Sequence, residues 1–446
     1  MMAIDRISIH NFRSIDRLEL SLVPENKVLC FVGENGSSKT AVLTSIVEAF
    51  ISKTKHQFPD FRKKDNLRYR TVSKQEIKSG QRFYSIEISY SKIKGDQHTF
   101  KKLVADSPDI EPSEYEHAIS GITLRDSYNE SSTLDQVNSK ADFLNDNVFL
   151  FRPGHRYEQD ALIVEKDKTE WEPKLSIANA YDEQIPHNHT VVHSGNDFQT
   201  MILDMYFDAQ VGYEDSILGF RVIPQILNKI TNKNFGNIQI SQSPYRRLFS
   251  STLGELSRLS QGELDLLVTI SAIVKQQSFF FNRYSSDEAA EYELNDIFKV
   301  PGVVLIDEVD LHLHPKAQEN YLKVLTDIFP NIQFIVTTHS PFVIRGLPKD
   351  AVVIQLPSGR KFDYNFGAMD IDSITNIIFD YDGGFSVETQ TLIEQFKTLL
   401  TSEEPNQNKL KEIYQQLESS SSAKEDLDLY LASFANVELM SFVQGV

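Results

Sequence analysis

Three short runs in this chain are largely apolar: Val28-Leu29-Cys30-Phe31-Val32, Val303-Val304-Leu305-Ile306 and Ile332-Gln333-Phe334-Ile335-Val336-Thr337-Thr338. Runs this short and this continuous read as buried strands rather than half-exposed ones. Val148 to Phe151 reads as a further core strand. Arg82 to Lys94 and His98 to Val104 alternate, and so predict paired strands of a β-rich lobe. Helical spacing appears after Thr40, over Phe198 to Ile230 and over Leu264 to Val274. It returns after Ile354, at 371–379, 387–400, 409–417 and 424–434. The polar stretches 105–146 and 158–195 read as irregular excursions, and 283–298 reads as an acidic insertion.

The ends of the apolar runs carry the candidate chemistry. Gly33-Glu34-Asn35-Gly36-Ser37-Ser38-Lys39-Thr40 joins the first strand to a helix. A small-residue loop in that position aims backbone N–H groups and a helix N-terminus at one point, which suits a polyphosphate. Asn35, Gly36, Ser37 and Ser38 would form the cradle, Lys39 would neutralise phosphate charge, and the Thr40 hydroxyl would reach Mg²⁺. Glycine usually precedes the lysine. Ser38 stands there instead, and with a negative φ it would give a working but stiffer loop.

The second strand ends in Asp307-Glu308. Beside a phosphate loop, Asp307 would hold magnesium and Glu308 would orient and deprotonate a water. His339 closes the third strand, where a γ-phosphate sensor would sit. Leu259-Ser260-Gln261-Gly262-Glu263 opens a long apolar helix, with Ser260 and Glu263 spaced as a capping box. That helix start can also present Ser260 and the Gly262 amide to a phosphate. If the phosphate lies in another copy's site, the chain must pair head to tail. Each segment alone also reads as ordinary: a Gly/Ser turn, a solvated strand end, a structural histidine, a capped helix. Their combination favours ATP and Mg²⁺ as ligands.

In this order the segments resemble the ATP-binding-cassette (ABC) superfamily: phosphate loop, signature motif with Gln261 replacing its first glycine, acidic strand and switch histidine. About 220 residues separate Lys39 from Ser260, and 47 separate Ser260 from Asp307, both more than a compact transporter cassette needs. Ile7-Ser8-Ile9-His10-Asn11-Phe12-Arg13-Ser14-Ile15 resembles the opening of the soluble branch that includes RecF, SMC and Rad50 heads and the overcoming-lysogenisation-defect ATPases. That resemblance implies a nucleotide contact for Arg13. Phe149 to Glu158 resembles the Arg-Pro-x-x-Arg-Tyr-Glu segment of ATPases from phage-defence operons, and Leu311-His312-Leu313-His314-Pro315 is similar to the same group. The chain thus resembles most the ATPase subunit of Septu-type and retron-associated defence systems, which implies a separate HNH-type nuclease as partner.

Charge changes the picture in one segment. The chain carries −18 overall, yet residues 51–102 hold fourteen Lys/Arg against five Asp/Glu, so this arm is +9 and the remainder −27. The arm reads either as a solvated face or as a nucleic-acid or partner surface, and the acidic remainder could receive a basic partner. Cys30 is the single cysteine, which excludes an internal disulfide and reads as a small core residue. His187, His189 and His193 read as solvated loop histidines rather than metal ligands. Asp370-Ile371-Asp372 reads as a helix cap rather than a nuclease's acid pair. No stretch is expected to match the roughly 20 apolar residues of a membrane helix, and Arg6, His10 and Arg13 interrupt any signal-like run, so a cytoplasmic protein without a membrane role is expected.

The expected fold is α/β: an ABC-type ATPase head, with a β-rich lobe plus RecA-like core, a helical subdomain and a C-terminal helical domain. The expected divisions are 1–157 (phosphate loop and basic arm), 158–250 (loop and helical subdomain), 251–356 (signature, acidic strand and switch histidine) and 357–446 (helical domain). The expected function is ATP hydrolysis in a head-to-tail homodimer, or larger homo-oligomer, that regulates the nuclease. The rival readings are a RecF-like DNA-repair ATPase and an ATP-bound scaffold with little turnover.

Overall fold

The computed structural model describes residues 3–51, 74–91, 97–107, 109–122, 124, 134–138, 147–154, 198–211, 214–241, 247–285, 294–381, 385–402, 405–418, 420–435 and 437–445. Outside them lie the basic residues between 53 and 70, Lys92 and Lys94, the histidine triplet, Arg156-Tyr157-Glu158 and most of the acidic insertion.

In chain order the strands are β1 (Ala3–Phe12), β2 (Ile15–Ser21), β3 (Val28–Val32), β4 (Phe83–Ser91), β5 (Gln97–Ala105), β6 (Leu134–Asn138), β7 (Val148–Arg152), β8 (Ile238–Ser241), β9 (Arg247–Ser250), β10 (Gly254–Glu255), β11 (Gly302–Ile306), β12 (Ile332–Thr337), β13 (Val352–Gln355) and β14 (Arg360–Phe362). The helices are α1 (Lys39–Ile51), α2 (Pro112–Tyr115), α3 (Phe198–Gln210), α4 (Glu214–Thr231), α5 (Gln261–Ser285), α6 (Pro315–Ile328), α7 (Pro341–Arg345), α8 (Ile371–Phe379), α9 (Val387–Leu400), α10 (Gln407–Leu417), α11 (Ser421–Phe434) and α12 (Val437–Gln444).

Residues 1–374 form the first of two units. Its main sheet has the order β14-β13-β3-β12-β11-β7, parallel except for β14. The three continuous apolar runs are its β3, β11 and β12, and every residue of these strands is buried. Parallel strands covered on both faces need that composition. A second, antiparallel sheet has the order β2-β1-β4-β5-β6. Between the sheets runs α1, touching β12 on one side and β4 and β5 on the other. It is therefore apolar almost all round, and ten of its thirteen residues are buried. Its Glu48 pairs with Lys102 of β5 at 2.7 Å, and Lys102 is fully buried.

Four cations of the basic arm have described side chains, and all four are paired. Lys78 pairs with Asp16, Arg82 with Asp106, Asp109 and Glu114, and Lys101 with Glu87. With Lys102, every cation of 51–102 whose side chain is described is committed to an acid of the same chain.

Helix α5 extends well beyond the expected Leu264–Val274. Its Gln261–Phe281 portion is long and apolar enough to cross a membrane, contrary to the expectation that no stretch would be, but 89% of its most apolar window is buried inside the protein. Helices α3 and α4 pack on α5, and α4 also meets α6. Residues 357–374 stay in the first unit, because Arg360–Phe362 pairs with β13 and the chain continues from there into α8. The second unit starts at Thr375. Asp370 accepts the Ser373 N–H and hydroxyl, both at 2.8 Å, as a helix cap.

In the second unit, α9 to α12 pack around Phe396, Leu410, Leu427 and Leu431. Tyr414 and Gln444 both donate to Asp428 at 2.7 Å. Burial and the Asp428 carboxylate push the Tyr414 phenol up to about 12.

Candidate functional site

The main sheet collects the candidate residues at one edge. Strands β3, β12, β11 and β7 run parallel, so the chain leaves all four at the same end. Gly33–Thr40 follows β3, Asp307-Glu308 follows β11, Thr338-His339 follows β12, and Pro153-Gly154 follows β7. The carboxyl ends of parallel strands are where open α/β sheets bind ligands.

The phosphate loop wraps its own lysine. Lys39 Nζ donates to the carbonyls of Gly33 (2.9 Å) and Glu34 (2.8 Å) and lies 3.4 Å from Ser37 Oγ. Burial holds the Lys39 ammonium below the ordinary lysine value, against the opposing pull of Asp307, Glu308 and Asp310. The early amides of α1 have no partner within the helix, because they start it. Asn35 and Gly36 are exposed at the tip, and Ser37 is buried beneath them. Ser38 corrects the expectation of a negative φ: its φ is +74°, in the left-handed region a glycine normally fills. Its hydroxyl bonds that of Ser14 at 2.7 Å and accepts the Ser14 N–H at 3.3 Å. The side chain that makes the conformation costly also anchors it.

That anchor reaches the turn between β1 and β2, where Asn11 and Arg13 also have positive φ (55° and 52°). The Arg13 guanidinium pairs with buried Glu76, and the Arg13 main-chain N–H donates to the Glu76 carbonyl at 2.8 Å. Arg13 therefore sits next to the residue that touches the phosphate loop, with Glu76 as its observed partner.

Asp307, 2% exposed, is the hub of the site. Its Oδ2 accepts from Thr40 Oγ1 at 2.8 Å, and its Oδ1 accepts from Thr337 Oγ1 at 2.6 Å. Thr337 Oγ1 in turn accepts the Glu308 N–H at 2.7 Å. Glu308 is thereby held at φ +51°, a strained conformation for a non-glycine residue and one that recurs at functional sites. Thr338 donates to Asp310 at 2.5 Å. His339 lies two residues beyond β12, rather than closing it. Partial burial and the Lys39 charge hold its imidazole below the ordinary value, although Asp310, Glu308 and Asp307 pull it up.

Ser260 caps α5 as the capping box predicts. Its N–H and hydroxyl donate to Glu263 Oε2 at 2.9 and 2.7 Å, and Glu263 takes Lys233 on its other oxygen at 2.6 Å. Burial pushes Glu263 up, but these hydrogen bonds outweigh it and leave the carboxyl below its usual range. Gly262 is packed rather than open: a Cβ there would overlap the His312 carbonyl, in the loop after the acidic pair. The structure thus gathers Lys39, Thr40, Asp307, Glu308 and His339, while Ser260 stands exposed at its helix start.

Thr337, Asp310, Ser14 and Gly154 had no role in the sequence reading. Thr337 stands at the end of the third strand, and its contacts form only once β11 and β12 pair. Gly154 lies within the Phe149–Glu158 segment, and a Cβ on it would lie 3.1 Å from Asp307 Oδ2 and 3.3 Å from Glu308 Cδ.

A phosphate loop, an acidic strand and a capped signature helix around one parallel sheet define an ABC-type ATPase. The chain belongs to the family described as "AAA domain, putative AbiEii toxin, Type IV TA system", whose profile matches residues 28–345. It is 23% identical to the Septu protein PtuA of Bacillus thuringiensis over 98% of this chain and 100% of that protein. It is 36% identical to the "Retron Vc95 probable ATPase" of Vibrio cholerae over 29% of this chain, and the match spans only 23% of that longer protein. Among solved structures, an Smc head bound to the C-terminal winged-helix domain of ScpA aligns with a TM-score of 0.40 and 12% identity, covering 80% of this chain and 95% of that one.

Proposed function

We propose that the chain binds ATP·Mg²⁺ and hydrolyses it as a regulatory ATPase of an anti-phage defence complex. The observation that carries this reading is the Thr40–Asp307–Thr337 chain of hydrogen bonds, with Glu308 fixed beside it. A hydroxyl and a carboxylate oxygen meeting at 2.8 Å form a hard oxygen donor set. That set fits Mg²⁺, which takes one or two protein ligands together with substrate phosphates. When bound, the ion would neutralise phosphate charge. Lys39 and the early α1 amides bind the phosphates, and Glu308 takes a proton from the attacking water as the bond from the γ-phosphorus to ADP oxygen breaks. His339 meets the γ-phosphate through a ring N–H; before nucleotide arrives its pKa is held below the ordinary histidine value. Arg13 would leave Glu76 to reach the nucleotide.

Ser260 and the Gly262 amide act on the ATP of a second copy, so that two chains close head to tail over two nucleotides. The exposed cap at Ser260 supports this, since that residue is turned to solvent while its helix is buried. The relation to the Septu protein along its whole length supports a defence role, and the resemblance of the sequence motifs implies a separate HNH-type nuclease as the controlled partner. Closure can shift the nuclease only by the difference in ATP affinity between the open and closed states. The arm's net charge of +9 supports nucleic acid as a further partner.

The deciding experiment measures ATP turnover by the purified chain and by Glu308→Gln. The general-base role predicts a fall of roughly 10²–10⁴-fold with nucleotide binding retained. A wild-type rate no higher than the variant's would reject the enzyme and favour the ATP-bound scaffold.

A further inference from the structure

We infer that Arg152 is a positioning residue that couples the acidic pair of one nucleotide site to the signature helix that serves the other. The inference rests on the roles proposed above for Glu308 and Ser260. Arg152 is the last residue of β7 and is fully buried, yet it reaches both elements. Its carbonyl accepts the Asp307 N–H at 2.8 Å. Its guanidinium pairs with Asp265, also buried, in the second turn of α5. One residue thus fixes the main chain at the acidic pair and the side of the helix that begins at Ser260.

The surroundings make this link stiff. Strand β7 is the sheet's edge, whose outer N–H and C=O groups need partners. Gln276, about three turns further along α5, supplies them: its amide accepts the Phe149 N–H and donates to the Phe149 carbonyl, both at 2.9 Å. Helix and edge strand are therefore joined at two points, so a shift of α5 along its axis must carry β7 with it. Just past Arg152, Gly154 passes so close to the Asp307 and Glu308 carboxylates that a Cβ would crowd both. From the other side, Gly262 packs against the His312 carbonyl. The start of the signature helix and the acidic pair are thus bracketed before and after β11. A small-molecule role for Arg152 finds no room, because the pair is sealed in the interior. A purely stabilising role is a weak explanation, since a buried ion pair seldom outperforms apolar residues of similar volume.

That last point supplies the test. The double variant Arg152→Met/Asp265→Leu removes both charges and leaves neither unpaired, so it should fold where a single substitution could fail. In the purified full chain it should bind a fluorescent ATP analogue as wild type does and keep its KM, while kcat falls at least about tenfold. Hydrogen exchange gives a readout free of turnover. A non-hydrolysable ATP analogue should slow exchange at residues 33–40 in both proteins, and should alter exchange at 260–266 in wild type only. Wild-type kcat in the double variant would overturn the inference. So would an exchange response at 260–266 that is absent from wild type or survives in the variant. Failure of the ATPase reading would look different: wild-type turnover would then equal that of Glu308→Gln, whatever the exchange pattern at 260–266.

Discussion

The Thr40 hydroxyl donates to Oδ2 of Asp307 at 2.8 Å, joining the phosphate-loop helix to the acidic strand across 267 residues of sequence. Removing the hydroxyl while keeping the shape should cost on two levels. Thr40→Val deletes a hydrogen bond to a charged group, worth about 1.5–3 kcal/mol when partly buried, and so should lower the unfolding temperature. It also deletes one of the two oxygens proposed for Mg²⁺, so turnover should need more magnesium to reach half its maximum. Thr40→Ser keeps the hydroxyl and should stay near wild type in both assays. A magnesium requirement unchanged in Thr40→Val would remove Thr40 from the metal site.

Ser38 pits two effects of similar size against each other. Its left-handed φ costs roughly 1–2 kcal/mol for an L-residue, and its bond to Ser14 returns roughly 0.5–1.5 kcal/mol. Ser38→Gly loses both and should unfold close to wild type. Ser38→Ala and Ser14→Ala lose the bond but keep the strain, so each should be less stable by about 1 kcal/mol. Because they break the same contact, combining them should add little. Thermal unfolding of the four variants beside wild type checks the order, and a Ser38→Ala variant as stable as wild type contradicts it.

These serines also mark where legibility ended. The strands that carry the site could be read because their two-sided burial forces continuous apolar runs, as in Val28–Val32 and Gly302–Ile306. Lys39, Asp307 and Glu308 could be read because a phosphate loop and a strand-end acid pair have fixed local spacing. Nothing local marks Thr337, whose hydroxyl orients Asp307 and the Glu308 backbone only after β11 and β12 pair. The sign of φ at Ser38 depends on Ser14, twenty-four residues earlier. Lys102 shows the same limit: it counts as a surface charge until β5 lies against α1 and Glu48 meets it.

His339 should titrate below the ordinary histidine value of 6.5, because burial and Lys39 outweigh the neighbouring carboxylates. The folded chain therefore disfavours the proton more than the unfolded chain does. Any stability from this group is complete above pH 6.5 and is lost as the pH falls through the depressed folded value. An NMR titration, with the resonance assigned by its loss in His339→Gln, measures the midpoint. A midpoint at or above 6.5 would place His339 in a different electrostatic setting.

The composite site makes a prediction that no single chain can meet. Lys39→Ala destroys a chain's own phosphate site but leaves its Ser260 intact, whereas Ser260→Arg does the reverse. Each homodimer should be inactive. A mixed dimer has one site with both defects and one with neither. Random pairing of equal amounts makes half the dimers mixed, so about a quarter of wild-type turnover should return if sites act independently. Ser260→Arg also removes a helix cap worth about 1 kcal/mol, so that variant must first be shown to bind nucleotide at its own phosphate loop. With binding intact, no recovery at any mixing ratio would mean that Ser260 serves only its own helix, through the Glu263 bonds already seen.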